Sequence, residues 1–195
     1  MARARDDGDT PAAMLYLTAY VFLLRVPSEG LPLTIGSPGE TQRPLPAGRH
    51  SAVEIVDGEL VFSLAKRKNL QGGSTLRRAC SCSVRADLCP VHVLGPWLMQ
   101  HPPGSTPFAH LSADRARVDL KARACALGWS EPHQHSLQDF RRGHAQDMVD
   151  SGSPLAEILR AGQWKSPAFL LYLDINKMEA CLAVASCVAE SDDEE

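Results

Sequence analysis

The chain has no hydrophobic run long enough to cross a bilayer. Its longest charge-free apolar stretch, Pro11 to Leu24, stops about six residues short of a helical membrane span. Arg3 and Arg5 precede it like the basic end of a signal peptide, but Asp6, Asp7 and Asp9 intervene and no small-residue cleavage site is clear. These absences leave a buried helix as the reading of Pro11–Leu24, with no membrane partner. They also favour an intracellular chain whose six cysteines stay reduced.

An excess of positive charge is lacking too. Twenty Lys and Arg face 23 Asp and Glu, for a net charge of −3, which taken alone argues against a nucleic-acid partner. The average misleads, because five of the acidic residues lie between Glu190 and Glu195 and the preceding 189 residues carry +2. Between Leu60 and Ala86 there is no acidic residue at all, whereas Lys66, Arg67, Lys68, Arg77, Arg78 and Arg85 all fall there. Local charge of this kind either grips phosphates or is simply solvated. The acidic end reads as a disordered tail.

A hydrophobic content of 44% over 195 residues suits one globular domain with a real core. Thr10-Pro11 reads as a helix start, and Arg25 and Pro27 break the helix after Leu24. Leu31–Ile35 and Ala52–Val56 are short strand candidates. Asp57-Gly58 then supplies a two-residue hairpin signal between Ala52–Val56 and Glu59–Ala65, leading directly into Lys66-Arg67-Lys68. Leu111–Leu127 reads as a charged amphipathic helix with Leu111, Val118 and Ala122 inward. A last helix is expected over Lys177–Ala189, its broad apolar face completing the core or docking on a partner.

Cysteine usage is uneven. Cys80, Cys82, Cys89 and His92 place four soft ligands within 13 residues, enough for a structural zinc site, although C-x-C is a less familiar spacing than C-x-x-C. Ordinary reduced thiols or a disulfide are the other readings. Cys125, Cys181 and Cys187 lie in helical patterns and read as small buried residues.

The run from Phe140 to Tyr172 says most about chemistry. Phe140, Ala145, Met148 and Val149 lead to Asp150, after which Ser151-Gly152 stops the helix and Ser153-Pro154 starts another. That second helix carries Leu155, Ile158 and Leu159 and ends at Gly162. Ser166-Pro167 starts a third, on which Tyr172 rides.

In order and spacing, Arg141, Gly143, Ala145, Met148, Gly152, Leu155-Ala156-Glu157-Ile158 and Ala161-Gly162-Gln163-Trp164 resemble the second half of the catalytic domain of tyrosine recombinases, the phage-type integrases. Upstream, Leu24-Arg25-Val26-Pro27-Ser28-Glu29 is similar to the family's first arginine segment, with one extra residue between Arg and Glu. Lys66-Arg67-Lys68-Asn69, after the Asp57-Gly58 hairpin, is similar to the segment that brings the catalytic lysine to DNA. Two departures stand out. Gln138 occupies the family's histidine position, and Tyr172 follows Trp164 by eight residues rather than nine. Choosing His135 for the histidine would put Gln138 at the arginine and spoil the spacing to Gly152 and Trp164.

The resemblance implies an α+β fold, mainly helical, with a small antiparallel sheet and hairpin. It implies a flexible N-terminus over 1–10, a catalytic-type domain over 11–189 and a tail over 190–195, without the family's N-terminal core-binding domain. The implied chemistry is DNA strand cleavage and rejoining, in recombination or integration of a mobile element. Tyr172 would form a 3′-phosphotyrosyl bond, and Arg25 and Arg141 would hold the non-bridging oxygens. Lys68, with Lys66 as alternative, would protonate the leaving 5′-oxygen, and Trp164 would donate its indole N–H to phosphate.

Glu29 would orient Arg25. Gln138 can hydrogen-bond phosphate but cannot act as a base near neutral pH, and His144 lies one turn beyond Arg141. Arg67, Arg77, Arg78, Arg142 and Lys165 are the further DNA-contact candidates. The implied partners are double-stranded DNA and other copies of the chain on that DNA, with a nuclear location in a eukaryotic cell. No cofactor is required for the strand-transfer chemistry, and zinc would be structural. A recombinase-derived binding module without catalysis, or a zinc-supported interaction domain, is the competing expectation.

Overall fold

The computed structural model describes residues 8–45, 47–65, 67 and 72–164. The chain divides into two compact units, Met1–Arg141 and Arg142–Glu195. Its architecture is α+β, helices with a small four-stranded, mostly antiparallel sheet.

Helix α1 (Thr10–Val21) lies at the centre of the first unit. The Asp9 side chain caps it by accepting from the Ala12 N–H at 3.3 Å, and Pro11 sits in the first turn, where its missing N–H has no helical partner to lose. From Ala12 to Val21 every residue except Tyr20 is buried, as a helix apolar all round must be. The helix stops at Val21, short of the expected Leu24. Leu23 takes a left-handed φ of +50°, and this turn redirects the still-buried Phe22, Leu23 and Leu24 before Arg25.

The sheet order is β1 (Leu33–Ile35), β2 (Ser51–Val56), β3 (Glu59–Leu64), β4 (Ser74–Arg78), with β1 parallel to β2 and the other pairs antiparallel. The expected Asp57-Gly58 hairpin is present. Both residues have positive φ, +52° and +76°, as a turn matched to strand twist requires, and Val56 pairs with Glu59 across it. Val53, Phe62 and Leu76 are cross-strand neighbours that join Leu60 and Leu64 in the core, where the Phe22 and Phe62 rings lie 5.1 Å apart. Strand β4 had no sequence signal: of Ser74-Thr75-Leu76-Arg77-Arg78, only Leu76 is apolar and buried.

Short helices α2 (Cys82–Arg85) and α3 (Gly95–Leu98) are separated by a 3-10 turn, Ala86–Leu88, and a π turn, Pro90–Leu94. Helix α4 (Ala113–Ala126) follows, with the Ser112 hydroxyl accepting from the Arg115 N–H at 3.1 Å. Its inward stripe corrects the sequence reading. Ala116, Leu120 and Ala124 are buried, whereas Val118 is 68% exposed and Ala122 is also exposed. Polar contacts set that rotation: the Tyr16 hydroxyl lies 2.9 Å from the Ala116 carbonyl and 2.7 Å from Asp119 Oδ2. Arg123 in turn donates to Asp119 at 2.8 Å and reaches Asp9 at 3.4 Å. Phe140 stacks on the Tyr16 ring at 4.7 Å.

Helix α5 (Asp139–Asp150) begins in the first unit and buries Arg141, Ala145 and Val149 at four-residue intervals. Within the second unit, Gly152 at φ +77° follows the stop at Asp150, and α6 (Leu155–Gly162) starts after Pro154. The stop at Asp150 agrees with the sequence reading, whereas α6 starts one residue later than expected, with Pro154 rather than Ser153 at the cap position and no side-chain cap bond. The expected helices at 169–173 and 177–189 and the acidic tail lie outside the described residues. No helix among the described residues is long and apolar enough to cross a membrane.

Burial, together with the Asp119 hydrogen bond, pushes the Tyr16 hydroxyl well above its usual pKa, so it stays a neutral donor. Tyr16→Phe is expected to cost about 1–2 kcal/mol in urea unfolding, because buried acceptors lose their donor. An unchanged midpoint would show that the hydroxyl does not set the seating of α4.

Candidate functional site

Arg25 occupies an extended residue ahead of a π turn, Val26–Gly30, closed by the Leu31 N–H on the Val26 carbonyl at 2.8 Å. A π turn holds one residue more than an α turn. Glu29 thereby folds back on Arg25: its Oε2 accepts from the Arg25 backbone N–H at 2.9 Å, and its Oε1 lies 3.4 Å from Arg25 Nη1.

The same carboxylate, 2% exposed, also takes Arg67 Nε at 3.2 Å and Nη2 at 3.3 Å. Arg67 Nη2 donates as well to the carbonyl of the left-handed Leu23 at 3.1 Å. Glu29 thus joins Arg25 to the segment carrying Arg67. The lysines on either side, Lys66 and Lys68, lie outside the described residues.

Arg25 and Gln138 line one cleft of about 260 Å³, together with Ser136 and Arg117. Gln138 is exposed there, one helical turn before Arg141, which is 3% exposed at the head of the buried stripe of α5. His135 is engaged elsewhere. Its ring packs edge-on against Trp129 at 5.1 Å and its Nδ1 is 3.1 Å from Asp139, beside the start of α5.

The remaining basic candidates separate. Arg67, grouped with the DNA-contact cations on sequence, is 4% exposed and held on Glu29, so it positions rather than presents charge. Arg78 also turns inward, donating to the Val21 carbonyl at 2.9 Å with its guanidinium over the Phe22 ring. Burial, and then the charge of Arg67, lowers its pKa to about 10. Arg77 stays at the surface beside Glu59 at 3.2 Å, and Arg142 is exposed on α5.

In the second unit, His144 is half-buried on α5. Trp164 closes back on α6 through its N–H to the Leu159 carbonyl at 3.0 Å, with Gln163 at φ +52° making the turn. A Cβ on Gly162 would fall inside the Trp164 indole. This contact gives the Gly162-Gln163-Trp164 spacing a physical reason. Lys165 and Tyr172 lie outside the described residues.

The second candidate centre is a single cluster. Cys80, Cys82, Cys89 and His92 bring one ligand atom each to within 4.8 Å of one another. His92 Nδ1 lies 3.3 Å from Cys80 Sγ, 3.2 Å from Cys82 Sγ and 3.5 Å from Cys89 Sγ, and the Cys80 and Cys89 sulfurs are 3.8 Å apart. A tetrahedral zinc with ordinary Zn–S and Zn–N bonds has edges of about 3.8 Å between sulfurs and about 3.5 Å from sulfur to nitrogen. These four distances are close to such edges, and the remaining pairs lie within 4.8 Å. Among the described residues Cys80, Cys82, Cys89 and Cys125 are all free thiols, so the disulfide alternative is not what forms here. Cys125 is exposed rather than buried as its helical pattern suggested.

Backbone geometry supports thiolate at this cluster. The Ser81 N–H donates to Cys89 Sγ at 3.4 Å and the Cys82 N–H to Cys80 Sγ at 3.5 Å. Burial pushes the Cys89 thiol up, but donation from the Ser81 and His92 backbone, then from His92 and Cys82 side chains, outweighs it and brings the pKa down to about 5. Hydrogen bonding to Cys89 and then Cys80 pushes Cys82 up to about 12. Metal binding at thiols is coupled to loss of their protons.

No family model, curated protein or solved structure matches this chain. Function is therefore argued from these two centres. The sequence reading named the four metal-type ligands and Arg25, Glu29 and Gln138. It missed Arg117 and Ser136, which nothing in the local sequence marks as cleft-lining.

Removing the shared carboxylate should be costly. Glu29→Ala leaves the buried Arg67 without its charge partner and is expected to lower unfolding stability by about 3–5 kcal/mol in denaturant titration. A loss below about 1 kcal/mol would mean the network is incidental to the fold.

Proposed function

We propose that this protein is a zinc-supported DNA-binding module of tyrosine-recombinase descent. The observation that carries the proposal is the convergence of Cys80, Cys82, Cys89 and His92, whose ligand atoms all lie within 4.8 Å of one another. From Cys82 to Leu88 no residue is buried, and Val84 is 80% exposed, so hydrophobic packing gives this stretch little reason to hold one shape. A structural zinc would supply that reason, stapling the passage from β4 to the buried Leu94 and Leu98. Arg25, set on Glu29 at the edge of a cleft shared with Gln138, is the part suited to a phosphate group, and Arg77 and Arg142 add surface charge.

Purified protein is expected to hold one zinc per chain. Cys82→Ser and Cys89→Ser should each lose most of it, and chelation should lower Tm by at least about 5 °C, or roughly 2 kcal/mol for a chain this size. Full zinc retention in Cys89→Ser would exclude the cluster as the site. Proton competition gives the sign with pH: zinc affinity falls as pH falls.

A second reading, strand cleavage and rejoining through Tyr172, is favoured by one observation. Glu29 couples Arg25 to Arg67, the residue between the two candidate general acids Lys66 and Lys68. In that reading Arg25 and Arg141 would bind the scissile phosphate, Lys68 would protonate the leaving oxygen, and Trp164 would donate to phosphate. Gln138 would bind but not transfer protons, a substitution that slows such steps by roughly 10²–10⁴-fold. Nicked suicide duplexes carrying candidate target sites test it by denaturing analysis for covalent adducts. Slow accumulation of an adduct, abolished in Tyr172→Phe, is the expected result. An adduct that persists in Tyr172→Phe would eliminate Tyr172 as nucleophile.

A further inference from the structure

We infer that Arg117 is a second phosphate-binding cation in the Arg25 cleft, and that the cleft takes a single phosphodiester group. The inference rests on the DNA-binding reading for the source of that phosphate, and on geometry for the site itself.

Arg25 and Ser28 belong to the wall built by the π turn, Ser136 and Gln138 to the segment leading into α5, and Arg117 comes from α4. Three separate parts of the chain thus converge on one opening. Among the described residues no carboxylate lines it. Glu29 sits behind Arg25 at 2% exposure, where it holds the guanidinium without facing the opening to solvent. Asp139 is turned to the Ser136 hydroxyl at 3.1 Å and the Ser136 N–H at 3.0 Å. Arg25, Arg117, Ser28 and Gln138 thus line one opening, and the carboxylates that meet its two cations are Glu29, behind Arg25, and Asp114, an exposed neighbour of Arg117 on its own helix.

Among the described residues the Gln138 side-chain amide has no hydrogen-bond partner, so it can turn its NH₂ toward a ligand. Arg117 is 48% exposed and its only partner given by the structure is Asp114, three residues back on the same helix and 86% exposed. An exposed pair of that kind is weak and easily exchanged for a phosphate. The volume, about 260 Å³, falls below the roughly 300 Å³ at which sites for drug-sized ligands begin. It has room for a phosphodiester with its flanking sugar atoms.

Two measurements on the full chain decide this. In the first, inorganic phosphate is titrated while the Nε–Hε NMR signals of the arginines are followed, and Arg25 and Arg117 are expected to shift together with one dissociation constant. In the second, duplex DNA binding is measured from about 50 to 200 mM salt for wild type, Arg117→Gln and Arg115→Gln. Arg115 is exposed on the same helix outside the cleft, so its variant carries the same change in net charge.

Arg117→Gln is expected to weaken binding by about 5–10-fold and to reduce the salt slope by about 1, with Arg115→Gln within about twofold of wild type. Equal losses in the two variants would overturn the assignment, leaving only diffuse surface charge. Joint phosphate shifts without any duplex binding would keep the cleft and remove DNA as the source. Duplex binding unaffected by Arg117→Gln, with no phosphate response at Arg117, would remove Arg117 and leave the DNA reading standing.

Discussion

The Glu29 carboxylate is buried to 2% exposure, a position no carboxylate can hold ionised without partners, because desolvation of one charge costs several kcal/mol. Its partners are two guanidinium groups, Arg25 four residues before it and Arg67 from a distant part of the chain beyond β3. The geometry that lets it serve both is unusual backbone. A π turn carries Glu29 back onto Arg25, and the left-handed Leu23 presents its carbonyl to Arg67. Strained residues persist where the surroundings over-determine them. Here the ion pairs on one side and the wholly buried end of α1 on the other do so. The direction of Arg25, the anchoring of Arg67 and the wall of the Arg25 cleft all follow from where this one carboxylate sits.

A second constraint acts where hydrophobic burial runs out. The first unit has a dense core from α1, one face of the sheet, Leu94, Leu98 and Phe108, but the stretch joining β4 to α3 buries no residue fully before Cys89, and only Leu88 packs against the core, in part. Four soft ligands converge in that stretch instead. Metal coordination and apolar packing are alternative ways of offsetting chain entropy, and this chain sets a metal-type ligand cluster end to end with its core. The Cys89 side chain belongs to both, fully buried and within bonding distance of the cluster.

Features that depend on neighbouring residues were legible before the fold. The Asp57-Gly58 turn needs two residues tolerant of positive φ, the stop at Asp150 needs Gly152, and the end of α6 needs Gly162, whose missing Cβ makes room for Trp164. The metal-type cluster was legible for the same reason, as its four ligands span 13 residues. Less legible was the rotation of α4. Alternation of apolar and charged residues suggested Val118 inward, while Tyr16, about a hundred positions away, selects Ala116 and Asp119 instead. Arg67 and Arg78 likewise read as a basic stretch because a sequence does not say which cations find a buried acceptor.

By itself, then, the sequence determined the buried first helix, the hairpin, the stop at Asp150, the end of α6 at Gly162 and a soft-ligand cluster, since local sterics and short spacings govern each. Only the tertiary structure decided that Glu29 serves two arginines, that Arg67 turns inward, and that Arg117 and Ser136 share a cleft with Arg25 and Gln138. Those outcomes join residues dozens of positions apart. They follow from burial and charge pairing, which exist only once the chain has closed on itself.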